Sequence, residues 1–536
     1  MSGVFPERDE AWLKQAVLGN YAERPFAEAP REPRIWSYTS RLSYKAGDLV
    51  KVSTCTNQSS YAVEVIRDGH MRQSMLRFDG LRGTWRDTPS DCSVVGCGWP
   101  VSLEFSIGAD WPSGGYILRS HAGADVHEHV FIVRPGQRNM RHKRLLLIAA
   151  TATWTAYNDW GGSNHYQGYC GPEGNRFSPI LSIERPLARG FASLPPEAPR
   201  AVLTEDPPLM SEPRYPHMEW AYANGYSKKY MSAGWASFES HFVRWAEGAG
   251  YQPDIISQTD LHLDPDLIDG YPCIALVGHD EYWSWEMRDA VDAYVMRGGR
   301  VARFAGNFMW QIRLEEEGRR QVCYKYLARA EDPLMVTGPR HLVTESWEAP
   351  EIGRPGAASF GLNATHGLYA SWSGCSPRGA KGFPVYRPEH WAFAGTGLYY
   401  GDILGARSCI FGYEVDGLPY EIRGGLPYPA DPSRAPDGIS ILALGLSATL
   451  EEGPTIRPGH SFLGSEDAEY VASVLTGRSD AAAVEATKRG CGMIVSFAKG
   501  RGEVFHAGTC DWVMGLARGD AAVIQVTRNV LDRFLG

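Results

Sequence analysis

Between residues 35 and 138 apolar and polar positions alternate in short runs, as in Leu49-Val50-Lys51-Val52-Ser53 and Tyr61-Ala62-Val63-Glu64-Val65, broken by Gly, Asp and Pro. A period of two puts successive side chains on opposite faces of a strand, so many short strands joined by turns predict an Ig-like β-sandwich over 35–140. Residues 1–34, rich in Pro, Glu and Arg, read as an extension wrapped over another domain, with Trp12, Leu13 and Val17 suited to one short amphipathic helix.

The texture changes after Arg141-His142-Lys143-Arg144, where Leu145 to Ala150 is a continuous apolar run. Such a run marks a strand buried on both faces. Trp235, Phe238, Phe242 and Trp245 recur at helical steps, and Gly248 and Gly250 end that helix. A strand at Asp254 to Ile256, a short helical piece at 264–268 and a strand at Cys273 to Gly278 follow. Ser284 then caps a helix whose Met287, Val291, Tyr294 and Val295 share one face before Gly298-Gly299, and Arg300 to Ala305 is the next strand. The alternation predicts an α/β doubly wound, mostly parallel sheet, its first part at 141–325. Residues 326–460 read as a β-rich insertion packed over the active site. Residues 461–536 complete the α/β domain through strands at 492–497 and 503–506 and a helix at 521–534.

Composition narrows the classes. With 536 residues, 43% hydrophobic, the chain can bury several cores, and a net charge of −9 without a basic stripe argues against nucleic acid. Glu7, Arg8, Asp9 and Glu10 interrupt any secretory signal, and no apolar run approaches the roughly 20 residues that cross a bilayer. Ten scattered cysteines with no CxxC pair suit reduced thiols and a cytoplasmic location.

In open parallel sheets ligands bind beyond the carboxyl ends of the strands. Three such ends carry unusual residues: Trp154 to Tyr166 after the first strand, His279-Asp280-Glu281-Tyr282-Trp283 after the third, and Gly306-Asn307 after the fourth. If these strands are neighbours, Tyr157, His279, Glu281 and Asn307 face one crevice.

The segments TAYNDWGGSNHY (155–166), SIERP (182–186), GYQPDIISQTDLH (250–262), GHDEYWS (278–284), RVARFAGNFMWQIR (300–313), GYEVDG (412–417) and HAGTCDWVMGL near the C-terminus resemble the large subunit of N,N-dimethylformamidase. The resemblance runs from about residue 35 to the end and is most specific between 150 and 313. It implies an amidohydrolase that holds one iron through two tyrosines and a glutamate. Matched motif by motif, the metal ligands are Tyr157, Tyr166 and Glu281, with Tyr169 competing for the second tyrosine position because QGYCGPEG replaces the family pattern there. His279, Asn307 and Glu414 match residues that line the pocket and assist hydrolysis. The resemblance further implies a small amide substrate, a small subunit and a homo-oligomeric assembly, with no nucleic acid or membrane partner.

The implied ligand set is chemically coherent. Holding two tyrosines as phenolates near neutral pH costs about 8 kcal/mol, which only a strongly Lewis-acidic cation supplies. Two phenolates and one carboxylate balance Fe³⁺, and an all-oxygen set suits a hard ion better than zinc. Glu414 is then the expected proton carrier, His279 its partner, and Asn307 a hydrogen-bond donor to substrate or oxyanion.

Each residue also has a plainer reading: a backbone carbonyl partner for His279, a turn for Asn307, a strand position for Glu414, a helix N-terminal carboxylate for Glu281. His127 and His129 share a strand face but lack further ligands. Gly168-Tyr169-Cys170-Gly171-Pro172 faintly resembles a nucleophile elbow, which would make Cys170 the centre of a cysteine hydrolase. From another class, a non-catalytic protein would bind carbohydrate or a partner chain through the aromatic-rich stretch 367–400 and some of the 17 tryptophans.

Overall fold

The computed structural model describes residues 9–24, 28–136, 144–168, 176–205, 214–372, 381–451 and 465–536. Glu10–Leu18 is the expected short helix, capped by the Asp9 carboxylate accepting from the Trp12 N–H. Next come two small sheets. One joins Ile35–Thr39, Leu49–Thr56 and Val101–Ser106; the other joins Ser43–Tyr44, Asp125–Val133, Gly114–Ala122, Ser60–Asp68 and Arg72–Arg82. They share a core of Ile35, Val50, Val52, Val63, Val65, Tyr116, Leu118 and Phe131; in the alternating runs Val50, Val52, Tyr61, Val63 and Val65 are buried, whereas Leu49 at the start of its strand is exposed. The unit is anchored to the rest of the chain by Asp68, whose carboxylate accepts from Trp235 Nε1 at 2.7 Å and from Arg244 at 3.0 Å.

The large sheet has nine strands: β1 (Leu145–Ala149), β2 (Asp254–Ser257), β3 (Cys273–His279), β4 (Arg300–Gly306), β5 (Asn363–Ala370), β6 (Tyr413–Gly417), β7 (Ser440–Ala448), β8 (Arg489–Lys499) and β9 (Gly502–His506). Their order is β2-β1-β3-β4-β9-β8-β7-β5-β6. From β2 to β9 the pairs are parallel, and from β9 to β6 they are antiparallel. The expectation of a mostly parallel sheet therefore holds for one half only. A short turn at Gly500-Arg501 joins β8 to β9, and a link that short cannot connect parallel neighbours. The second correction concerns residues 326–460: β5, β6 and β7 are strands of the sheet itself, not a layer packed over it.

Sequence signals place the elements that carry the site. Ser284 caps helix Trp285–Met296, its hydroxyl accepting from the Met287 N–H. Helix Glu239–Gly248 starts later than its aromatic period predicts, because Phe238 leaves the helical region and turns its ring toward Arg200 and His279. Asp520 caps the closing helix Ala521–Leu535, which buries Val523, Val526, Val530, Leu531 and Phe534. Strand β6 crosses the carboxyl ends of the parallel half: the Asp416 N–H donates to the Gly508 carbonyl at 3.0 Å, and the Cys510 N–H to that of Glu414 at 3.1 Å. Gly306 permits this approach, since a Cβ there would lie 2.7 Å from Cys510 N and 2.8 Å from Glu414 O. Among the described residues no helix is long and apolar enough to cross a membrane, and all eight cysteines are free and buried.

Candidate active site

The ends of β1, β3, β4 and β6 meet in one place. Tyr157 closes helix Thr151–Tyr157 directly after β1. One side chain ties it to Tyr166: Asn164 donates to the Tyr157 carbonyl at 2.9 Å and accepts from the Tyr166 and Gln167 N–H groups at 2.8 Å each. The SIERP segment braces the same loop. Buried Arg185 donates to the carbonyls of Trp160 and Ser163, while Asn158 donates to the Pro186 carbonyl at 2.9 Å and accepts from the Ala188 N–H at 2.9 Å. His279 is the last residue of β3, Glu281 follows two positions on, Asn307 follows β4, and Glu414 lies in β6. Asn307 and Tyr413 adopt left-handed backbone with φ of 58° and 43°, a conformation that costs a non-glycine residue about 1–3 kcal/mol and is concentrated at functional sites.

All six residues singled out in the sequence are thus brought together. The Tyr166 hydroxyl stands 2.8 Å from both Glu281 carboxylate oxygens and accepts from the Tyr282 hydroxyl at 2.7 Å. Glu281 also accepts from Trp310 Nε1 at 2.7 Å, and its backbone N–H is held by Thr153 at 3.0 Å. The Tyr157 ring lies 4.3 Å from that of Tyr166 and 5.3 Å from the His279 imidazole, centre to centre. His279 Nδ1 donates to the Ser232 carbonyl at 2.5 Å, while Nε2 stands 2.6 Å from Glu414 and 3.3 Å from Glu281. Asn307 Nδ2 donates to Glu414 at 2.9 Å.

Burial alone would push His279 down, yet Glu414 and Glu281 outweigh it and hold the imidazole up at about 9. Both ring nitrogens then carry protons, matching a carbonyl on one side and a carboxylate on the other. The plainer reading of His279 as a carbonyl donor is thus also true, and it fixes the ring. Burial raises Glu281, with His279 opposing, and burial together with Glu281 holds the Tyr157 and Tyr166 hydroxyls well above the ordinary phenol range.

The sequence assigns no role to several neighbours. Lys325 is buried with its Nζ 3.3 Å from the Tyr166 ring centre and no hydrogen-bond partner among the described residues. Lys229, pushed down to about 8 by burial, lies 5.0 Å from the same ring. Tyr282 and Trp310 complete the surroundings of Glu281, and Cys510 lies beside His279 and Glu414. Tyr169 and Cys170 fall outside the described residues. His127 and His129 belong to the sandwich: His127 accepts from the Ser37 N–H at 3.3 Å and donates to the Leu187 carbonyl at 2.9 Å, and His129 donates to Thr39 at 3.1 Å.

Tyr157, Tyr166 and Glu281 could hold a hard cation. The Tyr166 hydroxyl already faces both Glu281 carboxylate oxygens at 2.8 Å, and two lysines flank its ring, so the oxygen donors converge on one point. The donors are all oxygen and anionic once deprotonated, which fits a trivalent ion and disfavours a soft one.

Over residues 62–525 the chain matches the family described as N,N-dimethylformamidase beta subunit-like, C-terminal. The N,N-dimethylformamidase beta subunit of Paracoccus aminophilus is 27% identical over 128 residues, 24% of this chain and 15% of that protein. The corresponding subunit of an Alcaligenes species is 26% identical over 128 residues, with the same shares. The aligned stretch thus spans well under a fifth of these relatives' length. Among solved structures, Escherichia coli alpha-2-macroglobulin activated by porcine elastase covers 19% of this chain and 8% of its own at 12% identity, with a TM-score of 0.15, a likeness that bears on neither fold nor function. The family match extends over most of the chain, and the chain belongs to this family.

Proposed function

We propose that this member of the N,N-dimethylformamidase beta subunit-like family is an iron-dependent amidohydrolase that cleaves the C–N bond of a small or N-substituted amide. The observation that carries the reading is the Tyr166 hydroxyl held 2.8 Å from both oxygens of Glu281, with the His279–Glu414 pair 2.6 Å across beside it. Tyr157, Tyr166 and Glu281 would hold the ion. When bound, Fe³⁺ supplies a Lewis acid that polarises the amide carbonyl and acidifies water.

The chain's own groups handle the proton. Glu414 is the base: it takes the proton of the attacking water and returns it to the nitrogen as the C–N bond breaks, giving a carboxylic acid and an amine. His279 cannot swing away, because Nδ1–H is tied to the Ser232 carbonyl. Its Nε2–H fixes the Glu414 carboxylate, and its positive charge offsets the negative charge that builds on the carbonyl oxygen. Asn307 holds Glu414 from the other side through Nδ2, which leaves the buried Oδ1, without a partner among the described residues, to accept from a substrate N–H or from water. Trp310, Tyr413 and Trp372 wall the cluster with aromatic surface, which strengthens every charge interaction inside.

The relatives are named as beta subunits, which supports assembly with a smaller partner chain; a homo-oligomer and a cytoplasmic location complete the proposal. Metal analysis and the visible spectrum of the purified chain test it. About one iron per chain, a phenolate-to-iron colour lost in Tyr157→Phe, and turnover in a screen of small amides are expected. A chain that stays metal-free after iron is supplied would reject it.

A further inference from the structure

A second group of ligands stands next to the oxygen set and shares no residue with it. One donor atom each of His279, Glu414 and Cys510 lies within 4.8 Å of the others, and all three side chains are buried. Their backbones are locked together: the Cys510 N–H donates to the Glu414 carbonyl at 3.1 Å, and His279 and Asn307 continue the paired strands β3 and β4. The Asn307 amide, 2.9 Å from Glu414 and 3.3 Å from His279 Nε2, carries a buried Oδ1 that has no partner among the described residues.

We propose that His279, Glu414 and Cys510 form a second cation site, suited to a borderline, thiophilic divalent ion of the zinc class. Imidazole, carboxylate and thiolate are the three ligand types that zinc recruits, and a sulfur donor selects against magnesium and calcium. The orientation of His279 matches a metal ligand: Nδ1–H is fixed on the Ser232 carbonyl, the outer-shell contact that presents the other nitrogen to an ion. Tetrahedral zinc holds its donors roughly 3.3–3.8 Å apart. The 2.6 Å His279–Glu414 contact must therefore open as the ion replaces the proton between them. Sulfur and nitrogen donors here, against oxygen donors at Tyr157, Tyr166 and Glu281, sort a borderline ion from a hard one within a single pocket. If the amidohydrolase reading is right, zinc here takes the proton-carrying pair out of use; the binding itself does not depend on that reading.

Metal-stripped full-length protein titrated with zinc alone, and with cobalt(II) alone as a spectroscopic substitute, tests the site. One equivalent should bind, and cobalt should give a near-ultraviolet thiolate charge-transfer band. Cys510→Ser and Cys510→Ala should each lose the band and weaken zinc by more than the ~10–100-fold typical of losing an outer-shell partner. Glu414→Gln should weaken zinc while keeping the band, and Tyr157→Phe should change neither, whatever happens to its iron. Near-ultraviolet circular dichroism identifies any variant that fails to fold, and the remaining variants then carry the test. Absence of the band in the unaltered protein, or zinc affinity unchanged in folded Cys510 variants, would overturn the proposal, as would zinc lost from Tyr157→Phe but not from Cys510→Ser.

Discussion

The sandwich and the large sheet each bury a histidine two residues from another polar side chain, and they put the two to opposite uses. Among the described residues His129 in the sandwich hydrogen-bonds to the Thr39 hydroxyl alone, and burial pushes its imidazole down to about 3. His279 at the end of β3 is equally buried, but Glu414 and Glu281 hold it up at about 9. Spacing and burial do not separate the two positions. The difference lies in two carboxylates, Glu281 two residues on and Glu414 delivered by the distant strand β6 where it crosses the ends of β3 and β4, whereas burial is what acts on His129.

The strongest way to break this contrast is to remove the oxygen set. Glu281→Gln and Tyr157→Phe should each lose iron and drop amide turnover to background, while the chain keeps its cooperative unfolding. Full iron in both variants would remove the proposed centre. Next comes Glu414→Gln, which leaves the three iron ligands untouched; kcat should fall by ~10²–10⁴ with iron retained. Equal loss of iron there would make Glu414 a ligand and not a proton carrier. Gly306→Ala probes the crossing itself. Its Cβ would press on Cys510 N and Glu414 O at 2.7 and 2.8 Å, so a loss of about 1–3 kcal/mol in stability and a lower kcat are expected, read by chemical denaturation and by turnover.

What was legible in the sequence follows the same division. Local periodicity exposed the sandwich strands, the run Leu145–Ala149 and the capped helix after Ser284, because each is written within about a dozen residues. The antiparallel half of the sheet was not legible. Asn363–Ala370 and Tyr413–Gly417 are separated by long loops rich in Gly and Pro, and their pairing is set by partners far along the chain. At the site, strand ends alone pointed to Tyr157, His279, Glu281 and Asn307, while Tyr166 and Glu414 came from the family resemblance. Lys325 had no signal at all: a lysine between two tyrosines reads as surface, and only the fold shows it buried against Tyr166.

The smallest expected effect sharpens the sandwich side of the contrast. Unfolded His129 binds a proton near pH 6.5, whereas the folded residue resists it until about pH 3. The unfolded chain therefore takes up the extra proton as pH falls, and stability present above 6.5 is lost progressively between 6.5 and 3, by about 2 kcal/mol at pH 5. His129→Gln removes that proton while keeping a hydrogen-bond donor for Thr39. The variant should be somewhat less stable at pH 7.5, should lose less than the unaltered protein on going to pH 5, and should keep its turnover at pH 7.5. Denaturation curves at the two pH values give the difference directly. If both proteins weaken in parallel, His129 is not held neutral by burial, and the two buried histidines are less unlike than their surroundings imply.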